Sequence, residues 1–182
     1  IAISRQHLSA IHKNAFDSPK LKLIHTDGFA YIQNHNNDHQ ENYDLILLDL
    51  TDPIAPNGSN LAQSCMSEEF FQACYGRLNH KGSLVLHLGS YFYHPERHQT
   101  TLERLRKSFD VVYPYAVFIP LYGALWGMAM ATKVERSHDI DDAANLSADL
   151  IYERLGIQNI NDLQHYNAQT HAAMFAIEAR TH

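Results

Sequence analysis

Apolar and polar positions along this chain fall into two alternating kinds of segment. Residues 43–49 contain the unbroken apolar run Leu45-Ile-Leu-Leu48, and residues 83–88 form a second run, Ser-Leu-Val-Leu-His-Leu. Runs of this length predict strands buried on both faces, as in a parallel sheet. Residues 20–25 predict a shorter strand, residues 111–119 a strand interrupted by Pro114, and residues 126–132 a last strand of small and apolar side chains. The intervening segments favour helices: residues 4–16, with Leu8, Ile11 and Phe16 near one face; residues 29–34; residues 67–78; and residues 95–109, with Leu102, Leu105 and Phe109 inward. Ser67-Glu-Glu69 supplies an N-cap and places acids at the positive end of a helix dipole. Residues 35–42 and 51–64 read as loops, and Lys81-Gly82 and residues 120–123 as turns.

The order β-α-β-α-β-α-β-β predicts an α/β fold with a twisted sheet ending in an antiparallel pair. From residue 135 the composition becomes polar, with short helices predicted over 141–155 and 168–176, so 135–182 reads as a helical tail on one domain spanning 1–182. Doubly wound nucleotide-binding sheets open with a strand and a Gly-rich turn. This chain opens on a helix and has no such turn, so the sheet expected here is truncated, lacking its first βαβ unit.

The chemistry suggested by this pattern sits at the end of the first long run. Asp49 and Asp52 follow it directly, and Pro53 comes next. Open α/β sheets bind ligands beyond the carboxyl ends of their strands. Two acids there suit cation binding, proton abstraction or both; the plainer alternative is a strand-end turn, since Asp before Pro is a common turn former.

Composition narrows the class. The chain has 182 residues, 45% hydrophobic and 19% charged, enough for one domain with a core. Its net charge of −6 argues against a general nucleic-acid binder. No apolar run approaches the roughly 20 residues that cross a bilayer, so no membrane is expected as a partner. Cys65 and Cys74 make no disulfide framework, which favours a reducing cytoplasm, and Cys74, among Phe70, Phe71 and Tyr75, reads as a buried thiol. His35, Asp38, His39 and Glu41 are metal-capable types in an Asn-rich loop and read as solvated. His94 and His98 have zinc-compatible spacing but no third ligand nearby, so no metal site is expected. Trp126, Met128 and Met130 alternate at strand spacing and read as core.

Four stretches together resemble the polyamine aminopropyltransferases, the spermidine synthase family: Asp27-Gly-Phe-Ala30; Asp49-Leu-Thr-Asp-Pro-Ile-Ala-Pro56, followed by Ser67-Glu-Glu-Phe-Phe71; Pro120-Leu-Tyr-Gly-Ala-Leu-Trp-Gly-Met-Ala-Met130; and the tail from Asp162 to Ile177, where His171 is expected to pack rather than catalyse. The resemblance implies a methyltransferase-like Rossmann sheet. It also implies transfer of an aminopropyl group from decarboxylated S-adenosylmethionine, a co-substrate rather than a cofactor, to putrescine, giving spermidine and methylthioadenosine. By that resemblance Asp49 accepts the proton of the attacking amine, Asp52 binds and orients the amine, and Tyr122 closes its pocket. Asp27 and Gly28 then meet the nucleoside, with Pro56 near it. His87 stands where the family usually has a Gln that helps hold the amine. The partners implied are polyamine and nucleoside substrates and a second copy of the chain. The family's small N-terminal β domain and its Gly-rich nucleoside loop have no counterpart here. A non-catalytic relic of the family and a methyltransferase of the same sheet type are the competing readings.

Overall fold

The computed structural model describes residues 1–33, 42–50, 64–134, 142–160 and 162–176. Four strands, β1 (Tyr43–Leu48), β2 (Leu78–Ser90), β3 (Val111–Ile119) and β4 (Ala124–Thr132), form one sheet in the order β1-β2-β4-β3. β1 runs parallel to β2, while β4 is antiparallel to both β2 and β3. The parallel pair is joined through α4 (Glu68–Arg77), and α5 (Pro95–Ser108) leads from β2 to β3. The Ser67 hydroxyl accepts from the Phe70 amide at 3.2 Å, so α4 begins where its N-cap was expected.

The period of two in β2 separates the two faces of the sheet. Leu84, Leu86 and Leu88 are essentially sealed, whereas Val85 and His87 between them stay half-buried. The sealed set meets Phe70, Phe71 and Cys74 of α4 and Leu102 and Leu105 of α5. β4 gives only the small residues Gly127, Ala129 and Ala131 to this face, which leaves room for the two helices. Burial pushes the Cys74 thiol up to about 12, as expected of an inert thiol in an apolar core. Pro114 sits within β3 without ending it, because β3 is an edge strand and needs no outward N–H.

Several expectations are corrected. Residues 20–25 carry a strand-like composition but form no strand. No strand lies against the outer side of β1 among the described residues, so this segment has no ladder to join. β1 is also not buried on both faces: Ile46 is 9% exposed, but Leu45 and Leu47, on the face away from the helices, are 52% and 65% exposed. Lys81 and Gly82 do not end the strand. Lys81 is left-handed (φ 64°), and β2 continues through it as a bulge opposite β1. A Cβ at Gly82 would lie 2.9 Å from the Asn79 and Tyr43 carbonyl oxygens, so glycine is required there. Residues 4–16 are not one helix but α1 (Ala2–His7), α2 (Ser9–His12) and a 3₁₀ turn (Ala15–Asp17), broken at the left-handed Lys13 and Asn14.

α3 (Gly28–Gln33) packs against α4, with Phe29 stacked on Phe70. The described part of the tail holds a 3₁₀ turn (Ala143–Asn145), α6 (Ala148–Ile157) and α7 (Ala168–Phe175). α7 lies against β3, where Phe175 meets Tyr115. His171 is buried, with its ring nitrogens bonded to Tyr166 Oη (2.8 Å) and the Ala143 carbonyl (2.7 Å). No helix among the described residues is long and apolar enough to cross a membrane.

Candidate functional site

A cavity of about 440 Å³ opens at the carboxyl end of β1, on the less covered face of the sheet. Each wall follows from the strand pattern. Asp49 lies one residue beyond β1, exposed at the rim. Val85 and His87 enter from β2, and Trp126 and Met128 from β4 at matching face positions. Tyr122 comes from the 3₁₀ turn Pro120–Tyr122. That turn closes on Gly123, a left-handed residue (φ 59°) whose N–H reaches the Ile119 and Pro120 carbonyls, both at 3.1 Å.

The aromatic groups form a continuous wall. Tyr122 and Trp126 lie with ring centroids 4.4 Å apart, and His87 stacks with Trp126 at 6.2 Å and 24°. His87 Nε2 is 2.8 Å from the Leu50 carbonyl oxygen, so Nε2–H donates to it. An apolar, aromatic wall with one carboxylate at its rim suits an aliphatic ammonium: the rings take the methylenes and face the cation, and the acid orients it.

Three of the expected site residues, Asp49, His87 and Tyr122, therefore meet in one cavity. Asp27 and Gly28 do not join them. Gly28 lines a second cavity of about 470 Å³ between residues 22–32 and β1, together with Tyr31, Tyr43, Leu45 and Ile46. Asp27 Oδ1 accepts from the amides of Phe29 (2.8 Å) and Ala30 (3.2 Å), holding the start of α3. Asp52 and Pro56 lie outside the described residues, as do His35, Asp38, His39 and Glu41. Among the described residues no group of three or more His, Cys, Asp or Glu side chains is placed to hold a metal. His94 precedes α5, and His98 is buried within it against Tyr91 and Gly127.

Trp126 and Met128 are the cavity residues that sequence reasoning assigned to the core. The signal was present one residue along. Gly127, Ala129 and Ala131 are the small residues that helices can cover, so the large residues alternating with them, Trp126 and Met128, fall on the opposite face.

Comparison with known proteins identifies the family and the fold. The family model for the spermine/spermidine synthase domain matches residues 1–142. The polyamine aminopropyltransferase of Nitrosomonas europaea is 38% identical over 174 residues, covering 96% of this chain and 49% of that protein. The polyamine aminopropyltransferase of Pyrobaculum aerophilum is 28% identical over 174 residues, covering 96% and 56%. This chain thus spans about half the length of the relatives it matches. Among solved structures, a spermidine synthase in complex with the transition-state analogue AdoDATO superposes with a TM-score of 0.76 at 25% identity, over 97% of this chain and 54% of that one. The spermidine synthase of Thermotoga maritima shares the fold, with a TM-score of 0.74 at 24% identity over 97% and 53%. The chain belongs to the spermine/spermidine synthase family, the polyamine aminopropyltransferases.

Proposed function

We propose that the cavity at the end of β1 is the amine-acceptor site of an aminopropyl transfer, with decarboxylated S-adenosylmethionine as donor and putrescine as acceptor. The observation that supports this is the meeting of Asp49, His87, Tyr122 and Trp126 around one cavity of about 440 Å³. A primary amine has a pKa of roughly 10.4 and is protonated at neutral pH, when its nitrogen cannot attack carbon. Asp49 holds the ammonium and takes its proton. The freed nitrogen lone pair attacks the aminopropyl carbon bound to the sulfonium. The C–S bond breaks, its electrons return to sulfur, and neutral methylthioadenosine leaves. That leaving group needs neither an acid nor a metal. Tyr122 and Trp126 align the methylenes of the amine, so that positioning supplies much of the rate. Asp52 is assigned a second contact to the ammonium, and Asp27, Gly28 and Pro56 contacts to the nucleoside.

The test is aminopropyl transfer by the 182-residue chain, paired with calorimetric titration by putrescine and by methylthioadenosine. Saturable binding of both and formation of spermidine support the reading; no binding of either overturns it.

A second reading, a non-catalytic member of the family, is favoured by one observation. Gly28 lines a different cavity from Asp49, and Asp27 beside it caps α3. Under that reading the chain binds putrescine without methylthioadenosine, or binds neither. The outer edge of β1, which has no neighbouring strand among the described residues, supports self-association of the chain as well.

A further inference from the structure

The ladder between β1 and β2 ends at the pair Leu48 and Leu86. Asp49 and Leu50 run on past it, where no backbone pairing to β2 holds them. The next residue of β2 is His87, and its side chain reaches the Leu50 carbonyl at 2.8 Å. The imidazole thus makes the contact that the next ladder rung would have made. Its other nitrogen, Nδ1, is buried with no hydrogen-bond partner among the described residues. Among those residues a ring proton there would have nothing to donate to, whereas a proton on Nε2 has the Leu50 oxygen. The ring is held in turn by its stack on Trp126, which packs against Tyr122 with the two rings tilted by 31°. One line of contacts therefore runs from the backbone beside Asp49 to the aromatic wall.

We propose that His87 is a positioning residue for Asp49. Fixed as the Nε2–H tautomer, it ties the carbonyl that follows Asp49 to β2 and so sets where the carboxylate stands against Tyr122 and Trp126. Its part in the transfer itself rests on the amine-transfer reading above; its part in the structure does not. The consequence for chemistry is specific. A residue that grips the amine affects substrate affinity, while one that places the proton acceptor affects turnover. With its Nε2–H committed to Leu50, His87 acts on turnover.

The test uses the whole chain labelled with ¹⁵N and ¹³C, and the variants His87→Ala and His87→Gln. The terminal amide of Gln extends as far as Nε2 and can donate to the same carbonyl; Ala cannot. In the wild type the His87 ring is expected to show its proton on Nε2. The Leu50 carbonyl signal should move upfield in His87→Ala, having lost its donor, and return in His87→Gln. In the transfer assay His87→Ala should lower kcat by at least about tenfold with the putrescine KM changed less than about threefold, and His87→Gln should recover most of the loss. A proton on Nδ1, or a Leu50 carbonyl signal unmoved in His87→Ala, overturns the proposal. So does a raised KM at unchanged kcat, which is the signature of an amine-gripping residue. If the wild-type chain transfers no aminopropyl group, the functional reading fails, and the ring and carbonyl signals still decide the positioning role.

Discussion

The two faces of this sheet are built from the same strands and serve different ends. On the face toward α4 and α5, Leu84, Leu86, Leu88, Phe71 and Leu105 are sealed, and β4 offers only glycine and alanines. On the other face the intervening residues of those strands, Val85, His87, Trp126 and Met128, stay half-buried and line a cavity. Stability is concentrated on the first face, while the second can carry charged and aromatic side chains at little cost to the fold. The proposed amine site needs that division, since its acid must stay reachable while its rings stay fixed.

The largest effects should separate the faces most sharply. Phe71→Ala removes a fully buried ring and should destabilise the chain by about 3–5 kcal/mol, read by chemical denaturation. Leu47→Ser, at a position 65% exposed on the other face, should change stability by no more than about 0.5 kcal/mol. Comparable losses from both would mean that the second face is covered in solution and would remove the contrast. Asp49→Asn makes the complementary case. It should lower kcat for aminopropyl transfer by about 10²–10⁴-fold while the melting temperature stays unchanged, because the carboxylate is exposed and supports no core contact.

An intermediate effect comes from a polar side chain pressed into the sealed face. His98 of α5 packs onto Gly127 of β4 so closely that a Cβ there would lie 2.5 Å from Nε2. Gly127→Ala should therefore destabilise the chain by about 1–3 kcal/mol through overpacking. Burial, with the Arg106 charge as a smaller cause, lowers the pKa of His98 from its usual 6.5 to about 4. The unfolded chain then binds a proton that the folded chain refuses. Between pH 6.5 and about 4 the contribution of His98 to stability falls as the pH falls. His98→Leu should flatten this part of the pH dependence, measured as the difference between the denaturation midpoints of wild type and variant at pH 7 and pH 5.

What could be read from sequence divides along the same line. The elements of the sealed face were legible because local signals coincide there: Ser67 before α4, and the apolar run of β2. Of the chemical groups of the cavity, Asp49 was legible from its place at the end of an apolar run, while His87 and Tyr122 were legible only through motif resemblance. Their assembly depends on β4 lying between β2 and β3, and no local pattern specifies that. Lys81-Gly82 misled because a turn and a bulge use the same left-handed residue, and only the pairing beyond decides between them. Residues 20–25 misled because a strand is a relation between two segments: Leu21, Leu23 and Ile24 have the right chemistry, yet no partner strand lies beside them among the described residues. Trp126 was missed for a related reason, since alternation shows that a strand has two faces but not which one is sealed.

The smallest effect on the fold tests the outer edge of β1. Leu45 is 52% exposed on a strand with no neighbour on that side among the described residues, and Leu23 and Ile24 stand 50% and 45% exposed across the second cavity. An open, apolar strand edge is a template for another strand, and the segment with strand-like composition nearest at hand is residues 20–25 of a second copy. Sedimentation of the wild-type chain should accordingly depend on concentration in the micromolar range. Leu45→Lys places a charge on the edge, should shift sedimentation to the monomer, and should leave stability within about 0.5 kcal/mol. A wild-type chain that sediments as a monomer at every concentration would show that the edge of β1 is closed by its own chain. The contrast between faces would then extend to the edges, with exposure at β1 confined to the side that holds Asp49.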